Sequence, residues 1–167
     1  MNPFRRGGTL MLATAWLLIL GGLYWYFSAR EARESNPNQA RVLSGQQGEV
    51  ILLRNGAGHY VAEGDINGRR VTFLLDTGAT RVALPLALGM ELGLKRGAAI
   101  TLQTANGPAV AYQTRLASVR IGAIELNDVG AVMSEGLEAG IVLLGMSFLN
   151  RMEMRRDGST MTLTKRY

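Results

Sequence analysis

Hydrophobic and polar positions divide the chain into two regions with different patterns. Residues 7–29 form an uncharged, mostly apolar run of 23 residues, which is long enough to cross a hydrocarbon core of ~30 Å as a helix. From residue 49 onward, short segments of alternating or apolar character are separated by turn residues, a pattern typical of β-strands. One segment has helical spacing instead, with Leu86, Met90 and Leu94 on one face. The pattern predicts an all-β body with one or two short helices, preceded by an N-terminal transmembrane helix.

Turn-forming residues locate the individual strands of the body. Asn67-Gly68 lies between two alternating segments and favours the type I′ turn of a β-hairpin, and Asp157-Gly158 marks a closing hairpin. Further strands are predicted at residues 49–54, 79–85, 99–104, 109–121, 123–133 and 141–144, the last of them fully buried. The prediction is a closed or sandwiched β domain over residues 48–167, joined to the apolar region by a polar linker at residues 30–47.

The apolar run is interpreted as a membrane anchor within residues 1–29. The alternative is a cleaved signal peptide, but the run exceeds the usual ~7–15 apolar residues and no clean A-x-A site follows it. Tyr24, Trp25 and Tyr26 are placed to form an aromatic belt at the far interface. Basic residues lie on both sides of the run, while the short leader is typical of an anchor whose N-terminus stays inside. We expect a single-pass protein of the inner (cytoplasmic) membrane, in contact with the bilayer through residues 7–29, with a periplasmic or otherwise extracytoplasmic body.

Composition and charge exclude several kinds of chemistry. The chain has no Cys, which excludes a disulfide framework, a thiolate metal site and a Cys nucleophile. His59 is the only His, which excludes a multi-His metal site within one chain and is interpreted as structural. The net charge is +5, of which +3 lies in residues 1–45, and no basic stripe is interleaved with aromatics. We expect no metal, no cofactor and no nucleic-acid partner.

The candidate chemistry lies in "FLLDTGATRVALP", residues 73–85. Asp76 follows three large apolar residues, although charged side chains are rarely buried without a partner. One interpretation is that Asp76 opens a turn by bonding to nearby backbone N–H groups. The other is acid–base catalysis, which uses a carboxylate at a strand end with a glycine that lets the backbone approach it. The D-T-G triplet alone favours the turn, whereas its apolar surroundings favour the catalyst.

Two motifs together resemble the retropepsin-like aspartic proteases, and in particular their bacterial membrane-anchored branch. "LLDTGAT" is similar to the active-site loop of that family, and "IVLLG" followed by "MSFL" is similar to its second hallmark. The similarity extends over residues 58–163 and implies a single-lobe acid-protease β-barrel. It also implies hydrolysis of a polypeptide by water activated between two carboxylates that share one proton. Since the chain has one D-T-G, the resemblance implies a homodimer in which each subunit contributes Asp76 as the catalytic residue.

The resemblance extends to three further groups of residues. The remainder of the active-site loop corresponds to Thr77, Gly78, Ala79 and Thr80. In this loop Thr77 is expected to bond across the dimer axis, and the Gly78 N–H to donate to the carboxylate. A flap over the substrate corresponds to Thr104, Ala105, Asn106 and Gly107, for which an ordinary hairpin turn is the alternative. Packing support behind the loop corresponds to Leu143, Leu144 and Gly145.

Three hypotheses for the function remain open at this point. The first is a membrane-tethered, homodimeric aspartic endopeptidase. The second is a non-catalytic peptide-binding or dimerisation module with the same fold, against which the intact Asp76-Thr77-Gly78 argues. The third is an unrelated small β-barrel in which D-T-G occurs by chance, against which the joint presence of "DTGA" and "LLGMSFL" argues.

Overall fold

The computed structural model describes residues 3–38, 43–44, 48–104, 107–137 and 140–166. These residues form two compact units, of which the first ends at residue 35 and the second begins at residue 36. The first unit is a single helix, and the second contains the β body.

The first unit is helix α1 (Pro3–Ser35). Within the described residues it is the one helix long and apolar enough to cross a membrane, over Met11–Glu31 with a mean hydropathy of 1.4. A segment of this kind is either a membrane span or a signal sequence. The helix continues beyond residue 29 into the segment predicted as linker, because "REARES" contains good helix formers and an i,i+4 ion pair. In that pair Arg30 Nε lies 2.7 Å from Glu34 Oε1.

The second unit is built from two β-sheets and two short helices. The smaller sheet contains β1 (Leu43–Ser44), β2 (Glu49–Leu53), β10 (Met152–Asp157) and β11 (Thr160–Lys165), in the order β1-β2-β11-β10. The larger sheet contains β3 (Val61–Ile66), β4 (Arg69–Leu75), β5 (Val82–Pro85), β6 (Ala99–Thr104), β7 (Gly107–Ile121), β8 (Ile124–Ser134) and β9 (Ile141–Leu144). Its order is β3-β4-β9-β5-β8-β7-β6, and a further pairing of β3 with β7 closes the barrel. The helices are α2 (Leu86–Glu91) and α3 (Met146–Leu149). The predicted all-β body with short helices is confirmed.

Local sequence accounts for the elements that were predicted most directly. The turn between β3 and β4 has φ 51° at Asn67 and φ 80° at Gly68, the left-handed pair that a type I′ turn requires. Helix α2 begins after Pro85, whose φ of −56° is compatible with a helix start. One expectation about burial was wrong, because β9 is not fully buried. Ile141 is 37% exposed, since alternate side chains of a strand point to opposite faces and only one face of β9 meets the core.

Parallel pairing positions the candidate site. Strand β4 pairs in parallel with β9, with Leu75 opposite Leu144, so both strands end at the same edge of the sheet. Strands β5 and β8 pair in parallel beside them. The largest fully buried side chains, among them Phe73 and Phe148, fill the barrel beneath. As a result, the segments after β4 and β9, which are far apart in sequence, meet at one place above a packed core.

Part of the segment predicted as a polar linker is attached to the barrel. Asn38 is 2% exposed, and its Nδ2 donates to the backbone oxygens of Leu53 at 2.9 Å and Val61 at 2.7 Å. Its Oδ1 accepts from the Leu53 N–H at 2.8 Å, and its own N–H donates to Asn36 Oδ1 at 3.1 Å. These bonds satisfy backbone groups where β2 leaves the sheet, which a hydrophobicity pattern does not reveal. Residues 36–38 therefore belong to the folded unit.

Replacing Asn38 with Ala is expected to lower the free energy of unfolding by about 2–3 kcal/mol. The substitution removes a partner from the Leu53 N–H and from the part-buried carbonyls of Leu53 and Val61, and each such group costs ~1–3 kcal/mol less any compensation by water. Urea denaturation of residues 36–167 measures the effect. Asn150→Ala, at an exposed position after α3, serves as the control and is expected to change stability by less than ~0.5 kcal/mol. Equal midpoints for the two variants would show that the Asn38 bonds do not stabilise the fold.

Candidate active site

Asp76 stands at the end of β4, half-buried, with its carboxylate held by the turn that follows. Its backbone N–H donates to the Leu144 oxygen at 3.2 Å and so extends the pairing of β4 with β9 by one residue. The Gly78 N–H donates to Asp76 Oδ1 at 2.8 Å, and the Ala79 N–H donates to the Asp76 backbone oxygen at 3.3 Å. The loop therefore orients one carboxylate oxygen and leaves the other without a bond from this turn.

The connection between β9 and α3 lies directly against this loop. The Met146 N–H donates to the Ala79 oxygen at 2.8 Å, and the Ser147 N–H donates to the Thr80 oxygen at 3.1 Å. Gly145 is buried, and a Cβ there would lie 2.6 Å from the Ala79 oxygen. Because a side chain does not fit in this space, glycine allows the two backbones to approach closely.

Ser147 joins three elements beneath the loop and was missed by the sequence analysis. Its Oγ donates to the Gly130 oxygen at 2.7 Å and accepts from the Val82 N–H at 2.9 Å. The hydroxyl thereby connects α3, β8 and β5 at the point where β5 leaves the active-site loop. A small hydroxyl residue inside the apolar stretch "LLGMSFL" was the feature in the sequence that could have identified it.

A cleft of about 790 Å³ opens beside Asp76. Its lining includes the loop residues Gly78, Ala79 and Thr80 and a set of apolar side chains: Ala83, Ile100, Leu102, Val132, Leu137 and Leu143. Among the described residues that line it, Asp76 and Arg81 are the charged ones. We call this space the Asp76 cleft. Leu143 was predicted to support the loop by packing and also lines the cleft, whereas Leu144 is buried in the core.

Two of the four predicted flap residues, Thr104 and Gly107, are paired at the end of the β6–β7 hairpin. Thr104 lines the Asp76 cleft, and its Oγ1 donates to the Gly107 oxygen at 2.7 Å. Gly107 has φ 101°, in the region that favours glycine. Ala105 and Asn106 lie outside the described residues. Thr77 is exposed and is not among the residues that line the cleft.

Two other acidic residues of the β body, Asp128 and Asp157, have surroundings different from those of Asp76. Asp128 is exposed and forms a bidentate ion pair with Arg115, with both N–O distances at 2.6 Å. The hydrogen bond from Arg115 lowers the pKa of the Asp128 carboxyl. Asp157 is exposed at the end of β10. Across the described ranges, no three His, Asp or Glu side chains are grouped as a metal site would require. Among the described residues, Asp76 is thus the one whose carboxylate lines the Asp76 cleft.

Comparison with known proteins identifies relatives of this barrel. A family model for the gag-polyprotein putative aspartyl protease matches residues 62–151. The crystal structure of a retropepsin-like aspartic protease from Rickettsia conorii is similar, with a TM-score of 0.60 and 35% sequence identity. The similarity covers 71% of this chain and 91% of that chain.

Two curated relatives are similar over most of the chain. An uncharacterised protein from the cobV 5′ region of a Sinorhizobium species is 32% identical over 123 residues, which are 71% of this chain and 53% of the relative. An uncharacterised protein of Rickettsia prowazekii (strain Madrid E) is 38% identical over 111 residues, or 65% and 47% of the two chains. The chain therefore spans about half the length of the curated relatives it matches.

Proposed function

The chain belongs to the retropepsin-like aspartic protease family, and we propose that it is a membrane-tethered aspartic endopeptidase that acts as a homodimer. The observation that carries this proposal is the placement of Asp76. Its carboxylate lies at a strand end, is oriented by the Gly78 N–H at 2.8 Å, and borders a cleft large enough for peptide side chains. A role in stabilising the turn alone does not account for a cleft of this size beside the carboxylate.

The proposed chemistry uses two Asp76 carboxylates, one from each subunit. Two carboxyl groups ~3 Å apart do not both ionise, because two negative charges at that distance repel each other. The pair therefore holds one proton. The ionised carboxylate removes a proton from water, which attacks the scissile carbonyl, while the protonated carboxylate donates to the carbonyl oxygen. Return of a proton to the leaving nitrogen completes hydrolysis without a covalent enzyme intermediate. This proposal involves no metal or cofactor.

Other residues have supporting roles in the proposal. Thr77, which is exposed in the active-site loop, would bond to its counterpart across the dimer axis. The hairpin end at Thr104–Gly107 would close over a bound peptide and exclude water from the reacting atoms. The apolar lining of the Asp76 cleft would accept large apolar side chains of the substrate. The alternative is a non-catalytic module that binds peptide in the same cleft.

An assay with an undirected peptide library tests the proposal against that alternative. The full chain in nonionic detergent is incubated with the library over a range of pH, and products are identified by mass spectrometry. An endopeptidase produces internal cleavages at reproducible positions. A peptide-binding module retains peptides without producing new termini, and that result would remove the enzymatic proposal.

Dilution of the soluble unit is expected to reduce its specific activity. If each active site needs two Asp76 residues, residues 36–167 should lose activity per molecule as dimers dissociate. The full chain reconstituted in vesicles should lose much less, because confinement to a bilayer raises the effective concentration of the second subunit. Activity measured over a dilution series, together with sedimentation analysis, checks both expectations. A monomer whose specific activity is independent of dilution would contradict the shared site.

The orientation of the chain is expected to place the β body outside the cytoplasm. The short leader and the aromatic residues after the apolar run are the reasons for this expectation. An alkaline phosphatase fused after Tyr167 should then be active, since that reporter folds only after export. A cytoplasmically active reporter at the same site serves as the reciprocal control. Activity of the second reporter alone would reverse the orientation.

A further inference from the structure

A second groove adjoins the Asp76 cleft and is lined by basic side chains. It has a volume of about 790 Å³. Four of its lining residues carry a positive charge, and all four are exposed: Arg81, Lys95, Arg96 and Arg115. Among the described residues that line it, none is acidic. We call this space the basic groove.

Three of the four charges remain available to a ligand. Arg115 is neutralised by its bidentate pair with Asp128 at 2.6 Å. No carboxylate within the described parts of the chain forms an ion pair with Arg81, Lys95 or Arg96. The groove therefore has a local charge of about +3 that is not balanced by these residues, which favours an anionic ligand.

Two of the basic residues, Lys95 and Arg96, lie on a segment that is held in place. The guanidinium of Arg96 lies 5.2 Å from the centre of the Tyr112 ring, a cation–π contact that orients the side chain and keeps its charge. Backbone bonds attach the same segment to β7, from the Gly97 N–H to the Gln113 oxygen at 2.8 Å and from the Gln113 N–H to the Ala98 oxygen at 3.0 Å. A ligand of this groove thus meets charges whose backbone is already ordered, which lowers the entropic cost of binding.

Arg81 connects the basic groove with the Asp76 cleft, because it lines both. It lies five residues after Asp76, directly beyond the active-site loop. Arg81 is therefore the residue at which the two spaces meet. We propose that the basic groove binds an acidic segment of the polypeptide substrate next to the scissile bond. The inference rests on the proposed peptidase function and names the class of substrate, a chain with Asp or Glu residues flanking an apolar cleavage site.

The form of the groove favours a polypeptide over a nucleic acid. Single-stranded nucleic acids are bound by aromatic faces on which bases stack, in addition to positive charge. Among the described residues that line the groove, none is aromatic, and the neighbouring Tyr112 ring is already covered by Arg96. An acidic peptide needs only the charges and the adjoining cleft.

Binding to a catalytically inactive chain separates this inference from the proposed function. The full-length Asp76→Asn protein in nonionic detergent is titrated into a fluorescent peptide with a run of Glu beside an apolar pair. A matched peptide carries Gln at the same positions. Each peptide is made in two versions, with the Glu or Gln run on the N-terminal or on the C-terminal side of the apolar pair. We expect the Glu peptide to bind about tenfold more tightly, the combined effect of two or three exposed charge pairs. Salt should weaken that preference, since exposed charges are screened.

Two double variants identify the groove as the source of the preference. Lys95→Gln with Arg96→Gln should reduce the preference for the Glu peptide at least about fivefold. Arg155→Gln with Arg156→Gln removes two exposed charges from β10, outside the groove, and should retain the preference. In the active chain, the ratio of kcat/KM for the two peptides should change in the same way.

Several results would overturn the inference. Equal affinity for the Glu and Gln peptides excludes it, and so does a preference that survives the Lys95 and Arg96 substitutions. Tighter binding to phosphatidylserine vesicles or to oligothymidine through the same two residues would assign the groove to a lipid or nucleic-acid partner instead. A chain that binds the Glu peptide as expected but cleaves no peptide would remove the proposed catalysis and leave the preference for acidic polypeptides established.

Discussion

Replacement of Asp76 by Asn is expected to reduce kcat/KM by about 10³-fold or more, while the protein remains folded. The amide has nearly the shape of the carboxylate, and its oxygen can still accept from the Gly78 N–H. It cannot, however, take a proton from water, and general acid–base catalysis contributes typically ~10²–10⁴-fold to the rate. Because the active pair must hold one proton, the wild-type activity should also be bell-shaped in pH.

The experiment compares Asp76→Asn with Asp157→Asn, which removes an exposed carboxylate at the end of β10 that lines neither the Asp76 cleft nor the basic groove. The control should retain kcat/KM within about twofold, since this carboxylate is remote from the cleft and the groove and its substitution on the surface changes stability little. Mixtures of wild-type and Asp76→Asn chains provide a second measurement. If subunits exchange at random, activity should follow the square of the wild-type fraction. A linear dependence, or an active Asp76→Asn protein, would exclude the shared pair.

Replacement of Gly145 by Ala is expected to lower the free energy of unfolding by about 3 kcal/mol, near the upper end of the usual cost of overpacking. The added Cβ would meet the backbone oxygens of Arg81 and Ala79, both of which lie in the loop between Asp76 and β5. Backbone atoms cannot rotate away as a flexible side chain can, so the loop has to move. We therefore expect a loss of kcat as well as of stability.

Gly130→Ala is the matched control for this substitution. Gly130 also lies in the larger sheet below the active-site loop, but a Cβ there meets no heavy atom within 4 Å. Gly130→Ala should change the free energy of unfolding by less than ~1 kcal/mol. The substitution also lowers the conformational entropy of the unfolded chain, which stabilises the folded state. Urea denaturation and kcat/KM of both variants are the measurements. Similar midpoints would mean that the β9–α3 connection has room to relax and does not fix the position of the loop.

Features that depend on neighbouring residues could be predicted from the sequence. The Asn67-Gly68 turn formed as expected because few residue pairs tolerate two successive left-handed conformations. The spacing of Leu86, Met90 and Leu94 predicted the helix after Pro85 for a similar local reason, although α2 ends at Glu91 and Leu94 lies beyond it. The candidate catalytic loop was identified because it combines an apolar strand, a carboxylate and a glycine within a few residues.

Features that depend on residues far apart in the chain required the tertiary structure. The attachment of Asn38 to β2 and β3 satisfies backbone groups that a polar sequence pattern does not distinguish from solvent-exposed ones. The partial exposure of β9 follows from which strands lie beside it, since β4 and β5 cover its edges and the cleft leaves one face open.

The sequence by itself determined the membrane-length apolar helix, the short strands and turns, and one carboxylate with the motif of an aspartic protease. It did so because length, periodicity and turn chemistry act within a few residues. Only the tertiary structure decided that Gly145 packs on the Asp76 loop, and that Arg81 lies where a basic groove meets the catalytic cleft. Parallel pairing of β4 with β9 creates the first of these contacts, and the attachment of residues 93–98 to β7 creates the groove. Such proximity arises from long-range pairing, which no local pattern of apolar and polar residues encodes.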